Sequence, residues 1–414
     1  MIRAYKDDLM IVPVKLWAED IEEGAMEQIA HLCNLPFAFH HIAIMPDCHQ
    51  GYGMPVGGVM ATKGVIIPNA VGVDIGCGMC AVKSNIKSNQ LNKETLQRIF
   101  GGSKEFKGGI RSAIPVGFNH HSKAQEVSLM PGGHRLYALD ANNSSVPICS
   151  SQFNSALHQL GTLGGGNHFI EIQKDTDDNV WIMIHSGSRN LGKQVADHYN
   201  DIAIELNKKY HSEVPAKWEL AFLPIDSEEG RMYIAEMNYC VKFALANRKL
   251  MMDRIMQIIQ EEYDRQREVL HIAVEFEPMI NIAHNYAAME NHYGENVMVH
   301  RKGATLAREG TIGIIPGSQG TKSYIVRGKG NAESFNSCSH GAGRRLSRTK
   351  ACNELDLAAE IKKLDDQGIM HGIRHKNDLD EASGAYKDIG EVMRNQSDLV
   401  DILTELTPIA VMKG

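Results

Sequence analysis

Short apolar runs broken by glycine recur through the first 85 residues of the chain. Examples are residues 41–45, 56–60 and 64–67, in which isoleucine, valine, alanine and methionine cluster beside glycine or histidine. Apolar runs of four or five residues bounded by glycine are typical of strands that end in tight turns. We therefore predict short strands and turns over residues 1–85.

The hydrophobic period changes in the middle of the chain. Residues 161–188 predict a glycine turn followed by two strands, at 169–172 and 180–184. A set of larger side chains then recurs at steps of three and four residues, which predicts one face of a long helix. This set comprises Leu245, Arg248, Met252, Ile255, Ile259 and Tyr263. We predict strands again over residues 297–327 and helices over residues 354–406.

Residues 88–160 are the least patterned part of the chain. Three polar or glycine-containing stretches within it, 119–121, 131–133 and 142–145, are predicted to be loops. The blocks rich in glycine and histidine on either side lie far apart in sequence. A site that draws on all of them requires one interwoven domain, so we predict a single α+β domain over residues 1–414. It should combine mixed sheets with packed helices and contain residues 88–160 as an insert-like segment.

Composition places the chain among ordinary globular proteins. Its 414 residues are 43% hydrophobic and 22% charged, and no run of 18 apolar residues occurs. The amino terminus turns acidic at once and lacks the apolar core of a signal peptide. The eight cysteines are scattered without the spacing of a disulfide framework, which favours free thiols in a reducing compartment. We therefore expect a cytoplasmic protein without a membrane anchor.

Charge is distributed unevenly along the chain. The net charge is −7, which by itself argues against a nucleic-acid partner. Residues 301–350, however, hold ten lysines or arginines and two acids, so that this segment carries +8 and the remainder −15. A local basic zone on an acidic body suits a protein that binds phosphate at one place. A solvated basic face is the alternative, and charge alone does not separate the two.

Four glycine-associated segments contain candidate metal ligands. The five candidates are Asp74, Cys77, His168, His185 and His284. Each follows an apolar, strand-like run or lies in a tight turn, where its side chain can be held rigidly. One carboxylate, one thiolate and three imidazoles suit Mn²⁺, Co²⁺ or Zn²⁺ better than Mg²⁺ or Ca²⁺. Two ions would have to share one of five ligands, and a thiolate can bridge, so Cys77 is the candidate bridge.

Each of these pieces also has a purely structural interpretation. The turn from Asp74 to Cys77 could bury the cysteine as a small hydrophobic residue, and His185 could merely end a strand. Five further histidines lack a comparable glycine setting, and we interpret them as surface or packing residues. They are His40, His41, His120, His121 and His300.

Two further segments are suited to phosphate chemistry. Residues 315–323 form a loop of glycine and hydroxyl residues between predicted strands, and its backbone N–H groups could form an anion nest, although the spacing is not that of a P-loop. In residues 337–348, His340 lies among small residues and is followed by Arg344, Arg345 and Arg348. That arrangement suits a nucleophile beside a charged ligand. A glycine turn that opens a basic helix is the alternative.

Taken together, the motifs resemble the RtcB family of RNA ligases from about residue 12 to the end of the chain. The matching blocks are residues 45–53, 72–78, 161–171, 185–189, 301–304, 316–318, 340–344 and 413–414. Residues 88–160 match this pattern poorly. Gln319 stands where methionine is common in the family, which could alter contacts to the nucleotide.

The resemblance implies an RtcB-type catalytic domain with two metal ions, usually Mn²⁺. By motif, one ion is held by Asp74, Cys77 and His168, and the other by Cys77, His185 and His284. The resemblance also implies that His340 becomes covalently guanylylated by GTP. Residues that resemble the family's GTP- or GMP-binding groups are Asn167, His168, Phe169, Ile170, Glu171, His284, Asn285, Pro316, Gly317, Ser318, Gln319, Ser323, His340, Gly341, Ala342, Gly343 and Lys413. Those that resemble RNA or phosphate contacts are Asp47, Arg189, Lys302 and Arg348.

The implied activity joins an RNA 3′-phosphate or 2′,3′-cyclic phosphate to a 5′-hydroxyl through a histidine–GMP intermediate, in tRNA splicing or RNA repair. Two alternatives stay open on the motifs. One is a metal-dependent phosphodiesterase that opens cyclic phosphate ends, and the other is a non-catalytic RNA-binding protein. The phosphodiesterase would keep the metal ligands but would not need His340 or Lys413, and both residues are present. The motifs identify neither the physiological RNA nor a helper protein.

Overall fold

The computed structural model describes residues 1, 3–8, 10–132, 146–265 and 273–414. The predicted loop at 142–145, and the last residue of the one at 131–133, lie outside these residues. The strands, in chain order, are β1 (Arg3–Tyr5), β2 (Val14–Leu16), β3 (Ala38–His49), β4 (Val56–Thr62), β5 (Val65–Ile66), β6 (Gly78–Lys87), β7 (Phe169–Lys174), β8 (Asn179–Ser186), β9 (Leu223–Pro224), β10 (Ile280–Ala283), β11 (Asn285–His292), β12 (Glu295–Lys302), β13 (Ala304–Leu306), β14 (Ile312–Ile315), β15 (Ser323–Gly328), β16 (Ser337–Ser339) and β17 (Val400–Lys413).

The helices carry much of the packing between these strands. They are α1 (Glu23–Cys33), α2 (Pro68–Val71), α3 (Lys93–Phe100), α4 (Ile110–Ala113), α5 (Pro147–Ser151), α6 (Phe153–Gln159), α7 (Arg189–Lys209), α8 (Glu228–Arg265), α9 (Arg348–Glu354), α10 (Leu357–Asp366) and α11 (Ile389–Asn395). Among the described residues, no helix is both long enough and apolar enough to cross a membrane. All eight cysteines are described, and all are free thiols.

Two large sheets interleave distant parts of the chain. One has six strands in the order β1-β2-β3-β4-β12-β11, and the other has seven in the order β10-β6-β8-β7-β17-β15-β14. The pairing of β2 with β3 is parallel, whereas the neighbouring pairs β3–β4 and β12–β4 are antiparallel. Because each sheet joins strands that precede residue 187 to strands that follow residue 279, neither half can form its sheet alone. The prediction of an interwoven α+β fold is confirmed.

Helix α8 is the main support of the seven-stranded sheet. Met252 and Ile255 on this helix share one buried apolar cluster with Val82, Ile170 and Ile182 of the sheet. The predicted long helix is confirmed, and its predicted face is buried except at Leu245, which is half-buried. The strands predicted at 169–172 and 180–184 are confirmed as β7 and β8.

Two predicted assignments differ from the structure. Residues 1–85 contain the eleven-residue helix α1 among the expected strands. Residues 354–406 are helical only in part, because β17 begins at Val400. Strand β15 pairs with the first half of β17 and β7 with the second, so hydrogen bonding to partners remote in sequence determines the conformation there. Between α10 and α11, residues 376–385 form only short 3₁₀ turns.

Candidate active site

The candidate metal ligands meet at one edge of the seven-stranded sheet. Antiparallel pairing sets the start of β6 against the end of β8, since Gly78 pairs with Ser186. It likewise sets the start of β7 against the end of β8, and the end of β10 against the start of β6. Each ligand therefore flanks a strand terminus at the same edge. The end of β17 joins them there, because Lys413 pairs with Phe169.

The structure brings all five predicted ligands together as two triads that share Cys77. Asp74, Cys77 and His168 form one triad, and Cys77, His185 and His284 form the other, with the potential ligand atoms of each within 4.8 Å of one another. The Cys77 Sγ lies 3.4 Å from His168 Nε2 and 3.3 Å from His185 Nε2. The Nε2 atoms of His185 and His284 are 3.4 Å apart.

Backbone carbonyls orient two of these imidazoles. His168 Nδ1 lies 3.0 Å from the Leu163 carbonyl oxygen, and His185 Nδ1 lies 3.0 Å from that of Asn167. A carbonyl can only accept, so each Nδ1 carries the proton and each Nε2 presents a lone pair to the cluster. Carbonyls that hold the far nitrogen in this way are the usual outer support of metal-bound histidines.

Electrostatics within the cluster fit a bound cation. Burial lowers the pKa of His185 and of His284 well below the ordinary value, so both imidazoles are neutral. Burial acts to raise the pKa of Asp74, but the neighbouring His168 and the charge of Arg189 outweigh it and lower this pKa to about 2. A carboxylate, a sulfur and three imidazoles thus converge on one small volume. This mixed donor set fits a borderline transition ion.

Two glycines allow the backbone to approach the site closely. A Cβ added to Gly187 would lie 2.2 Å from Asp74 Oδ1, so a side chain there would displace that carboxylate. Gly343 has a φ of +75°, and a Cβ on it would lie 2.2 Å from the Asp47 carbonyl oxygen. Both positions therefore require glycine if Asp74 and the His340 loop are to keep their places.

His340 lies beside the candidate metal cluster formed by the two triads, with one ring nitrogen already in a hydrogen bond. Its Nδ1 lies 2.6 Å from Asp47 Oδ2, and its backbone N–H donates to the same oxygen at 3.0 Å. Because a carboxylate accepts, Nδ1 carries the proton and Nε2 keeps its lone pair. The rings of His340 and His284 are 4.7 Å apart. Asp47, which resembles one of the family's RNA or phosphate contacts, is itself 0% exposed and lies beneath His340.

A cavity of about 270 Å³ opens over His340 and the cluster. Most predicted nucleotide residues line it, namely Asn167, Phe169, Glu171, His284, Asn285, Pro316, Gly317, Ser318, Gln319, His340, Gly341, Ala342, Gly343 and Lys413. Three predicted nucleotide residues lie elsewhere. Ile170 points into the apolar core, His168 belongs to the metal cluster, and Ser323 is buried beneath the glycine loop.

The loop at residues 316–321 is stabilised by its own hydroxyl groups. The Gly317 N–H donates to Ser323 Oγ at 3.2 Å, and the Ser318 N–H donates to Thr321 Oγ1 at 2.6 Å. These two N–H groups are therefore engaged within the loop, and the predicted anion nest does not include them. Gln319 Nε2 donates to the Glu381 carbonyl at 2.9 Å, so its amide anchors the loop to the segment before α11.

One buried acid that the sequence did not single out organises the basic side of the cavity. Glu381 is 1% exposed and pairs with Arg344 at 3.0 Å and with Arg348 at 2.9 Å. The Tyr386 hydroxyl also donates to it. Burial would raise the pKa of Glu381, but the charges of Lys413 and the two arginines lower it. No local pattern marks Glu381, because an acid in a polar segment ordinarily indicates a solvated surface.

The three remaining residues predicted to contact RNA differ in their burial and in whether they line the cavity. Lys302 lines the cavity, and its Nζ donates to the backbone carbonyls of Tyr52 and Asn69, at 2.5 and 3.0 Å. Burial lowers the pKa of Lys302 to about 7. Arg348 also lines the cavity, and its side chain is 54% exposed. Arg189 does not line it, since its Nη1 lies beside His168, 3.4 Å from Nδ1.

The five histidines interpreted as surface or packing residues lie outside this cavity. His41 is fully buried and stacks on Phe335. His300 is also buried, and its Nε2 accepts from the Ile67 N–H at 3.0 Å. His120 is exposed. Their places agree with that interpretation.

Comparison with known proteins gives one consistent result. The family model described as "tRNA-splicing ligase RtcB" matches residues 28–414. The chain is 39% identical to the RNA-splicing ligase RtcB of Escherichia coli, with 97% of each chain covered. It is 31% identical to the tRNA-splicing ligase RtcB of Thermococcus kodakarensis, with 100% of this chain and 94% of the relative covered. The RNA-splicing ligase RtcB of Mycobacterium tuberculosis is 30% identical, with 94% of this chain and 100% of the relative covered.

Proposed function

The chain belongs to the RtcB family of RNA ligases, and from this premise we propose that it joins RNA ends in tRNA splicing or RNA repair, with GTP and Mn²⁺. Its substrates are an RNA 3′-phosphate or 2′,3′-cyclic phosphate and a 5′-hydroxyl. The observation that carries the proposal is the setting of His340. One ring nitrogen is held by Asp47, and the other is left with its lone pair in a cavity bordered by the five-ligand cluster and by Lys413.

The reaction proceeds through three displacements at phosphorus. His340 Nε2 attacks the α-phosphorus of GTP, a P–N bond forms, and the bond to pyrophosphate breaks. The guanylyl group then passes to an oxygen of the RNA 3′-phosphate, which regenerates the imidazole. Finally the 5′-hydroxyl oxygen attacks the 3′-phosphorus, loses its proton, and GMP leaves. A cyclic phosphate end is first hydrolysed to the 3′-phosphate.

Asp47 has a defined part in the first displacement. Attack by Nε2 places positive charge on the imidazole ring, and the carboxylate 2.6 Å from Nδ1 stabilises that charge. The same contact prevents Nε2 from carrying the proton, which would block attack. Asp47 is therefore a positioning residue that acts through His340.

The donor sets Asp74/Cys77/His168 and Cys77/His185/His284 would hold two Mn²⁺ ions, which when bound supply positive charge to the phosphoryl oxygens. Guanine recognition rests on Lys413 and Glu171. An ammonium donates to the guanine O6, whereas adenine carries an amino group at that position. Glu171 is 3% exposed and lines the cavity, where its carboxylate can accept from the N–H groups of the same base edge.

The decisive experiment incubates the protein with GTP labelled at the α-phosphate and with Mn²⁺. The wild-type chain should become covalently labelled, and His340→Ala should lose both labelling and ligation while it keeps its metal and fold. His340→Ala should still join RNA supplied with a pre-activated 3′-guanylyl end, because the last displacement does not use the imidazole. The matched control is His211→Ala, which removes an exposed histidine outside the cavity.

Each alternative function has its own outcome in the same assay. A phosphodiesterase would open cyclic phosphate ends without taking label from GTP. An RNA-binding protein would retain RNA and do neither. Labelling of His340→Ala at the wild-type level would contradict the assignment of the nucleophile.

A further inference from the structure

An aromatic side chain stands in solvent at the edge of the candidate active site. Phe118 is 102% exposed, more than any other large hydrophobic residue among the described residues. Single exposed apolar residues are common on protein surfaces and by themselves indicate nothing. Phe118 differs because of where its loop is attached.

The loop that carries Phe118 is fixed on both sides. Before it, the Leu163 N–H donates to the Pro115 carbonyl at 2.9 Å, and the Gly117 N–H donates to the Gly164 carbonyl, also at 2.9 Å. After it, the His121 N–H donates to the His158 carbonyl at 3.0 Å. The Phe118 ring is therefore exposed on a loop whose backbone is held by hydrogen bonds on both sides. Binding of a ligand to this ring would cost little further conformational entropy of the loop.

The attachment point is the glycine run 164–166, which also contacts two arginines. A Cβ on Gly164 would lie 2.2 Å from the Arg189 guanidinium, and one on Gly166 would lie 2.7 Å from that of Arg348. Between them, a Cβ on Gly165 would lie 3.6 Å from the Gly117 Cα. Asn167 and the ligand His168 follow directly. Gly117, which precedes Phe118, thus packs on the backbone of residues 164–166, which has Arg189 at one end and Arg348 at the other. The same segment continues to His168 of the candidate metal cluster.

From this arrangement we propose that Phe118 is a stacking platform for a base near one of the RNA ends, while Arg189 and Arg348 neutralise the phosphates on either side of it. A single strand with unstacked bases is bound by aromatic side chains interleaved with cations, and stacking tolerates any base because every base has a π-face. The fully exposed ring has a free face for that purpose. The inference rests on the proposed function and assigns a substrate-binding role within residues 88–160.

The test measures ligation kinetics of the full-length protein with GTP, Mn²⁺ and two single-stranded oligonucleotides, one with a 3′-phosphate and one with a 5′-hydroxyl. Phe118→Ala should raise KM for RNA by roughly 5- to 150-fold, the range expected for loss of one stacked base. Phe118→Trp should restore the wild-type KM, whereas Phe118→Leu, which keeps apolar bulk without a π-face, should not.

An abasic scan separates stacking from a merely structural role. Each of the terminal three nucleotides of each oligonucleotide is replaced in turn by an abasic one. At one position, the abasic substitution should raise the KM of the wild-type protein by about the same factor as Phe118→Ala does. The Phe118→Ala variant should show no further increase in KM at that position. The matched control is Tyr210→Ala, which removes another exposed aromatic roughly 30 Å from Arg189, at the far end of α7. It should leave KM unchanged.

The inference is overturned if Phe118→Ala ligates with the wild-type KM, or if no abasic position couples to it. Failure of the proposed function appears separately, as a wild-type protein that neither takes label from GTP nor joins the oligonucleotides. Should Phe118→Ala fold poorly, Phe118→Leu with the same abasic series applies the same criterion.

Discussion

At the scale of single residues, Cys77 is common to both triads that could hold a metal ion. Its removal should therefore weaken both positions, and we expect Cys77→Ser to lose most of its bound metal because a hydroxyl is a poor substitute for a bridging thiolate. Elemental analysis after dialysis measures the metal content. Cys80→Ser is the matched control, since Cys80 is buried on β6, three residues after Cys77, but lies outside both triads. An unchanged metal content in Cys77→Ser would refute the shared role.

Glu171 should make GTP binding depend on pH. Burial raises its pKa to about 7, against the opposing hydrogen bond from Gln173 and the charge of Lys413. Above this pKa the carboxylate accepts from the guanine N–H groups, and below it one oxygen is protonated. We expect KM for GTP to rise about tenfold from pH 8 to pH 6. Glu171→Gln should bind GTP weakly with a flat profile, whereas Glu405→Gln, at a half-buried glutamate outside the cavity, should keep the slope. A sloping profile in Glu171→Gln would assign the titration to another group.

At the scale of secondary-structure elements, Arg248 ties the long helix α8 to the strand ends that carry the ligands. It is fully buried and donates to the carbonyls of Gly76 and Ser186, at 3.0 and 2.7 Å, and to Asn281 Oδ1 at 2.8 Å. These partners adjoin the start of β6, the end of β8 and the strand β10. One side chain on a helix thus holds together the termini on which Cys77, His185 and His284 depend.

We expect Arg248→Met to lower the free energy of unfolding by about 3 kcal/mol or more, because it leaves buried carbonyl groups without donors. It should also weaken metal binding. Chemical denaturation and metal titration are the measurements. Lys249→Met, the exposed neighbour on the same helix, should change neither quantity appreciably. Wild-type stability in Arg248→Met would mean that the strand ends are held by other contacts.

At the scale of the whole molecule, the basic segment 301–350 does not form one face. Arg301 is buried in an ion pair with Glu290, and Lys329 pairs with Asp401 on β17. Within this segment, Lys302, Arg344 and Arg348 line the cavity. The fold thus directs only part of the local positive charge toward the candidate site.

RNA affinity should accordingly depend on salt to a limited degree. At pH 6, below the pKa of about 7 of Lys302, three phosphate contacts by Arg189, Lys302 and Arg348 predict a slope of about −2 for the logarithm of the association constant against the logarithm of salt concentration. Arg348→Ala should make this slope shallower by about 0.7. Arg327→Ala, at an exposed arginine of the same segment outside the cavity, should leave it unchanged. Affinity that is independent of salt would be evidence against phosphate contacts.

The sequence by itself determined which residues could carry the chemistry of the site and which family the motifs resemble. The five candidate ligands and His340 were identifiable because strand-ending apolar runs and glycine turns accompany them within a few positions. Most other residues of the cavity were identified only through the resemblance of their motifs to the family. Antiparallel pairing then carries distant strand ends to one edge, as the interwoven domain prediction required.

Only the tertiary structure decided features that depend on partners far away in sequence. Residues 400–406 are a strand because β15 pairs with them. Asp47 lies beneath His340, and Glu381 is buried between two arginines, through contacts that span 293 and 33 positions. A carboxylate in a sequence is equally suited to solvent, to RNA or to an ion pair. Which of these it meets is determined by the packing that either excludes water from it or leaves it exposed.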